Sequence, residues 1–96
     1  MQHILRERVV SLPELTQYIA VYRLVESLAK LEDSPYRTFG FCVDLANRQT
    51  DAVEEQAAIW DVTSNAETAN KWFALLWQGL VLPSTLQEVV ENLIAD

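Results

Sequence analysis

The stretch Tyr18-Ile19-Ala20-Val21-Tyr22-Arg23-Leu24-Val25 decides the fold, because it reads in two ways. Leu15, Tyr18, Tyr22 and Val25 fall at helical spacing, and Ser11 with Glu14 offers a capping box ahead of them. The same residues are dense in β-branched and aromatic side chains, which favour strands. The next segment arbitrates. From Thr38 to Leu45 the chain alternates strictly, with Phe39, Phe41, Val43 and Leu45 on one side and Thr38, Gly40, Cys42 and Asp44 on the other. A helix at 18–31 would leave this strand with few neighbours, and a two-stranded sheet is marginal in water. A strand ending near Leu31 instead meets Tyr36 across the turn Glu32-Asp33-Ser34-Pro35 and makes a β-hairpin. We therefore read 18–31 and 36–45 as paired strands, with 4–10 as a first, edge-like strand.

Downstream, Ala46 to Gln56 is polar and reads as a link. Ala57-Ala58-Ile59-Trp60-Asp61-Val62 then reads as a short strand, with Trp60 and Val62 on one face and Ile59 on the other. Two helices close the chain, at about 65–79 and 84–95. Ser64 with Glu67 and Ser84 with Gln87 are capping boxes, Pro83 presets φ beside the second start, and Gly79 suits a left-handed stop for the first helix. Ala66, Ala69, Phe73, Leu76 and Leu80 form one apolar stripe; Leu86, Val89, Val90, Leu93 and Ile94 form the other. An αα-hairpin of this kind needs a surface to cover, and the Phe39–Leu45 face supplies it. The expected fold is α+β: an antiparallel sheet of three to four strands with a C-terminal helical hairpin packed on one face, in a single domain spanning 1–96.

Composition narrows the function classes. Half of the 96 residues are hydrophobic and few are Gly or Pro, as in a packed globule. No apolar run reaches the roughly 18 residues of a membrane span, and Met1 to Arg8 lacks the layout of a signal peptide. A lone cysteine, Cys42, fits a reducing compartment, so the expected location is cytoplasmic with no membrane partner. The net charge of −7 falls entirely in residues 49–96, where Lys71 is the sole basic side chain. Such a surface repels phosphate backbones and leaves a basic protein as a conceivable partner for the acidic half. The second helix presents Thr85, Gln87, Glu88, Glu91, Asn92 and Asp96 outward, so it makes no nucleic-acid reader.

No residue pattern points to catalysis, a cofactor or a metal. His3 is the sole histidine, so serine or cysteine nucleophiles have one base to share, and no His/Cys cluster has ligand spacing. Gly40 and Gly79 cannot make a phosphate cradle. Cys42 lies on the polar side of its strand, where an inert thiol is expected. The aromatic residues are more informative. Trp72 and Trp77 flank the helical stripe and lie about 140° apart around the axis, so one of them is expected to stay partly exposed. Surface tryptophan often marks a protein contact, and Trp72 and Trp77 are the candidate contact residues.

The run Tyr22-Arg23-Leu24-Val25-Glu26, then Leu31-Glu32-Asp33 and Thr38-Phe39-Gly40-Phe41, resembles a family of short uncharacterised bacterial proteins, common in Gram-positive anaerobes and classed as a domain of unknown function. Its closing helix is matched by Leu80, Pro83, Leu86, Val89, Val90, Glu91 and Ile94. The resemblance spans roughly residues 18–96 and implies an α+β domain with no assigned activity or site residue. Together these readings favour a non-enzymatic protein-interaction or regulatory module, able to self-associate through an edge strand or an exposed tryptophan. The alternative is a small-ligand-binding or enzymatic domain with a pocket between sheet and helices. A carboxylate such as Asp44 or Asp61, buried beside Trp60 or Tyr22 in an open cleft, would favour it.

Overall fold

The computed structural model describes residues 2–95, so Asp96 lies outside the described residues. Four strands run in chain order, β1 (Gln2–Ser11), β2 (Tyr18–Leu31), β3 (Ser34–Asn47) and β4 (Val53–Thr63), followed by α1 (Ala66–Gln78), a 3₁₀ turn (Pro83–Thr85) and α2 (Leu86–Ala95). The strands form one antiparallel meander in the order β1-β2-β3-β4. The fold is α+β, as the alternation of residues 38–45 predicts.

The β2–β3 hairpin is the spine. Its pairing runs unbroken from Tyr18↔Asn47 to Leu31↔Ser34. Glu32 (φ 50°) and Asp33 (φ 68°) both take left-handed conformations, as a tight two-residue turn requires. The turn is thus two residues long; β2 keeps the expected bounds, while β3 reaches two residues further at each end than the expected 36–45. Ala20, Tyr22 and Leu24 share the helix-facing side with Phe39, Phe41, Val43 and Leu45, and all are buried. Val21 and Val25, on the opposite side of β2, are buried too. A central strand apolar on both faces loses its period-2 signature, which is why 18–25 also fits a helix.

The helices close the core from one side. Ala69, Phe73 and Leu76 of α1 and Leu86 and Val90 of α2 are buried against the hairpin, while Ala66 and Ile94, at the outer ends of the predicted stripes, are exposed. Asn65 caps α1, its side chain accepting from the Thr68 amide at 2.9 Å, so the start lies one residue past the expected Ser64. Ser84 sits within the 3₁₀ turn, whose cap residue Leu82 makes no side-chain bond. At the end of α1, Gly79 keeps φ −84° and Leu80 takes the left-handed position at φ 53°. The amides of Leu80 and Val81 donate back to Trp77 and Leu76, the paired bonds of a Schellman stop. Ser11 and Glu14 cap nothing helical; residues 12–17 form a loop that tucks Leu12 into the core.

The polar link is shorter than expected because β4 starts at Val53. Asn47 closes the turn by accepting from the amides of Gln49 and Thr50. The faces of β4 also differ from the simple alternation: Ile59 and Val62 pack on the core, whereas Trp60 is 44% exposed on the other side. The cause is a register shift in which Phe39 pairs Thr63 but Phe41 pairs Ile59, with Asp61 at φ 54°. The displaced Trp60 lies over Gly40. A Cβ there would sit 2.5 Å from the Ile59 carbonyl oxygen and 2.9 Å from the Trp60 ring.

Two predictions follow from this packing. Gly40→Ala should lower stability by about 2 kcal/mol in urea unfolding, because the obstruction is backbone and cannot rotate away. Tyr22, fully buried, donates from its hydroxyl to the Val81 carbonyl at 2.9 Å, tying β2 to the link between the helices. Burial raises its phenol from 10.0 to about 12. The folded state therefore keeps a proton that the unfolded chain releases, and the stabilisation is complete below pH 10 and lost as pH rises toward 12. Tyr22→Phe should cost about 1 kcal/mol at neutral pH and flatten that alkaline decline.

Candidate interaction surface

The two faces of the sheet are built on different chemistry. On the face away from the helices, a polar ladder crosses all four strands. Arg23 donates to Glu7 on β1 at 2.8 Å and to Asp44 on β3 at 2.7 Å, and Gln56 on β4 donates to the second Asp44 oxygen at 2.7 Å. Asp44 is 4% exposed, with both carboxylate oxygens engaged. The Asp44 bond is also the main reason the Arg23 guanidinium is held more firmly charged. Further along β3 toward the hairpin turn, Thr38 is buried and donates to Asp61 at 2.7 Å, which fixes the bulge. Cys42 lies among these groups; burial and the Asp44 charge push its thiol up, partly offset by Arg23, so it is a poor nucleophile. Asp44 is thus buried, but on the opposite face from Tyr22 and in a closed network. Among the described residues, no cluster of three His, Cys, Asp or Glu side chains could hold a metal.

The helix side of β1 is different. Every β1 residue but Val10 is exposed, including Ile4, Leu5 and Val9. Arg6 pairs with Leu24 and Arg8 with Tyr22, so both arginines project on the helix-facing side. The Arg8 guanidinium stacks on Trp77 of α1, 4.1 Å from the ring centroid. Beside β1 lie three depressions of about 380, 440 and 330 Å³. The first two share Arg8 and Trp77, and the second and third share Leu80, so they form one furrow along the strand. One end is lined by Arg6 and Arg8, with Glu7 between them held by Arg23; the other is mostly apolar, at Leu12, Leu15, Leu80 and Leu82, with Glu14 among them. Asn70 lines the arginine end, and its Oδ1 is buried without a hydrogen-bond partner. Leu80, at the junction, holds the left-handed conformation that costs a non-glycine residue about 1 kcal/mol.

The structure separates the two tryptophans singled out from the sequence. Trp77 is partly buried in the wall of the furrow, whereas Trp72 borders a separate depression with Thr68, Lys71, Leu75 and Leu93. They do not form one patch. Sequence reading missed Arg6 and Arg8; their spacing of two on an edge strand was the available signal. It also missed Trp60, because nothing local announces the bulge that turns it outward.

These features define a small α+β protein, a four-stranded meander capped on one side by a helical hairpin, with a furrow beside its β1 edge lined by arginines at one end and mostly by apolar side chains at the other. The chain belongs to the family of unknown function DUF6514, which it matches over residues 1–96. The match therefore includes the N-terminal strand, beyond the 18–96 span of the sequence resemblance. No curated protein and no solved structure is significantly similar to it. No helix among the described residues is long and apolar enough to cross a membrane.

The ladder makes a checkable claim about the outer face. Asp44→Ala leaves Arg23 with Glu7 alone and strands the Gln56 amide. The expected loss is about 2 kcal/mol, below that of a fully buried pair because Arg23 is 27% exposed. Urea unfolding measures it, and Glu7→Ala, at an exposed partner, should cost much less.

Proposed function

We propose that this protein works by binding another protein and has no catalytic activity of its own. One observation carries the reading: an uncovered edge strand, almost wholly exposed, is flanked by the furrow along its second half, from Arg6 to Ser11. Unpaired amides and carbonyls on a strand edge are a template for another chain, and the furrow adds side-chain selectivity. Trp77 is the expected anchor, since it offers a large ring at the centre of the furrow. Trp72 lies at a separate surface and plays no part in this contact. The alternative of a small-ligand pocket between sheet and helices draws less support. The buried carboxylate, Asp44, is on the far face and already fully paired. The acidic side chains Glu54, Glu55, Glu88 and Glu91 are exposed and line none of the depressions, so a basic partner also has less to recommend it.

Site-specific photocrosslinking in the native cell tests the reading. A benzophenone side chain at Leu5, 46% exposed on β1, should yield discrete adducts that are absent from the same probe at Leu31, 70% exposed at the hairpin tip. Trp77→Ala should lower the Leu5 adduct yield at least about tenfold, with folding checked by near-ultraviolet dichroism. Identical adducts from Leu5 and Leu31 would refute the assignment of the surface.

A further inference from the structure

We infer that the furrow beside β1 takes an extended segment whose residues run from apolar to acidic, added antiparallel to β1 as a fifth strand. The inference rests on the protein-binding reading above and names the chemistry of the partner. Arg6 and Arg8 carry the argument. The ion pairs among the described residues use Arg23 and Arg37, which leaves Arg6 and Arg8 without a carboxylate within bonding distance. In a chain of net charge −7 with seven basic side chains, two unpaired arginines on one side of one strand are a local reversal of sign.

Arginine on an edge strand also guards against aggregation, but a guard needs no more than exposure. Arg8 instead lies over the Trp77 ring, and both arginines line a concave wall. An antiparallel strand would place successive helix-side positions opposite Val10, Arg8 and Arg6, after an apolar residue beside Leu12. Carboxylates at the last two positions can meet the guanidinium forks in bidentate geometry. The unpartnered Asn70 oxygen in the same wall adds an acceptor still without a donor.

A second copy is the competing occupant and fits less well. Antiparallel self-pairing of β1 about Glu7 sets Arg6 opposite Arg8 and Glu7 opposite Glu7, which places like charges face to face. The β4 edge does carry Glu54 and Glu55, but the bulge at Asp61 interrupts its strand pairing and α2 packs against it.

The probe is a fluorescein-labelled peptide, Leu-Thr-Val-Thr-Glu-Thr-Glu, with free ends blocked, titrated with the full chain by anisotropy at low salt. Binding should weaken at least about tenfold with Lys in place of both Glu, and by a similar factor in Arg6→Glu/Arg8→Glu. Both arginines are exposed, so the double variant should fold; Arg6→Gln/Arg8→Gln, with an intermediate loss, guards against an artefact of charge reversal. N-methylation of alternate peptide amides should abolish binding, as strand addition requires. Equal affinity for the Glu and Lys peptides, unchanged binding after N-methylation, or self-association through β1 by light scattering would each overturn the inference. If neither peptide binds while the Leu5 photoadducts persist, the acidic segment is wrong and the protein-binding reading stands. If the photoadducts are also missing, both fall.

Discussion

Everything in this molecule hangs on burying the helix-facing side of the β2–β3 hairpin. Tyr22 and Leu24 on one strand and Phe39, Phe41 and Val43 on the other are almost completely withdrawn from water. A side chain of this size contributes roughly 1.5–3 kcal/mol on burial, so the set outweighs any single polar contact in the fold. The same constraint sets the register. Because side chains alternate, a slip of one residue would turn the whole aromatic row to solvent and bring Asp44 and Arg23 under the helices. The helices inherit their position from this row: Phe73 and Leu76 meet it from α1, and Leu86 and Val90 from α2. The Tyr22 hydroxyl then secures the link between them at Val81.

The opposite face solves a different problem, since no helix covers it. A bare apolar sheet face would aggregate, and a bare charged one would leave the central strands poorly packed. Here Glu7, Arg23, Asp44 and Gln56 lie across the strands and shield their neighbours with one another. Arg23 is central because its fork can satisfy two carboxylates at once. At the far end, Gly40 gives up its side chain so that the bulged Trp60 can fold over the sheet. The result is a face closed by local polar and aromatic cover, which leaves β1 and β4 as the two edges of the sheet, with the furrow beside β1.

The β1 edge joins the structural description to the functional one. The meander order sets β1 and β4 at opposite margins, so Arg6 and Arg8 stand far in the sheet from Glu54 and Glu55. The acidic β4 margin is thereby held apart from the arginines of the groove. Trp77 belongs to both parts. It packs partly on the core and turns its remaining surface to the groove, where Arg8 lies on it.

Much of this was legible from residues alone. The alternation from Thr38 to Leu45 and the stripes Ala69-Phe73-Leu76 and Leu86-Val90 determine a sheet with a helical lid, because burial acts on periodicity and periodicity is local. The same logic separated Asp44 from Phe41. What it could not determine was anything set by pairing across strands. The two-residue shift opposite Gly40 put Val62 on the side of Ile59 rather than of Trp60, and the Schellman stop moved the left-handed position from Gly79 to Leu80. The ladder through Arg23 joins residues as far apart as 7 and 56. The furrow arises because α1 happens to cross beside β1, bringing Trp77 to Arg8. Sequence records which side chains prefer to be buried or exposed; which of them touch is decided by the register and by the angle at which the helices cross the sheet.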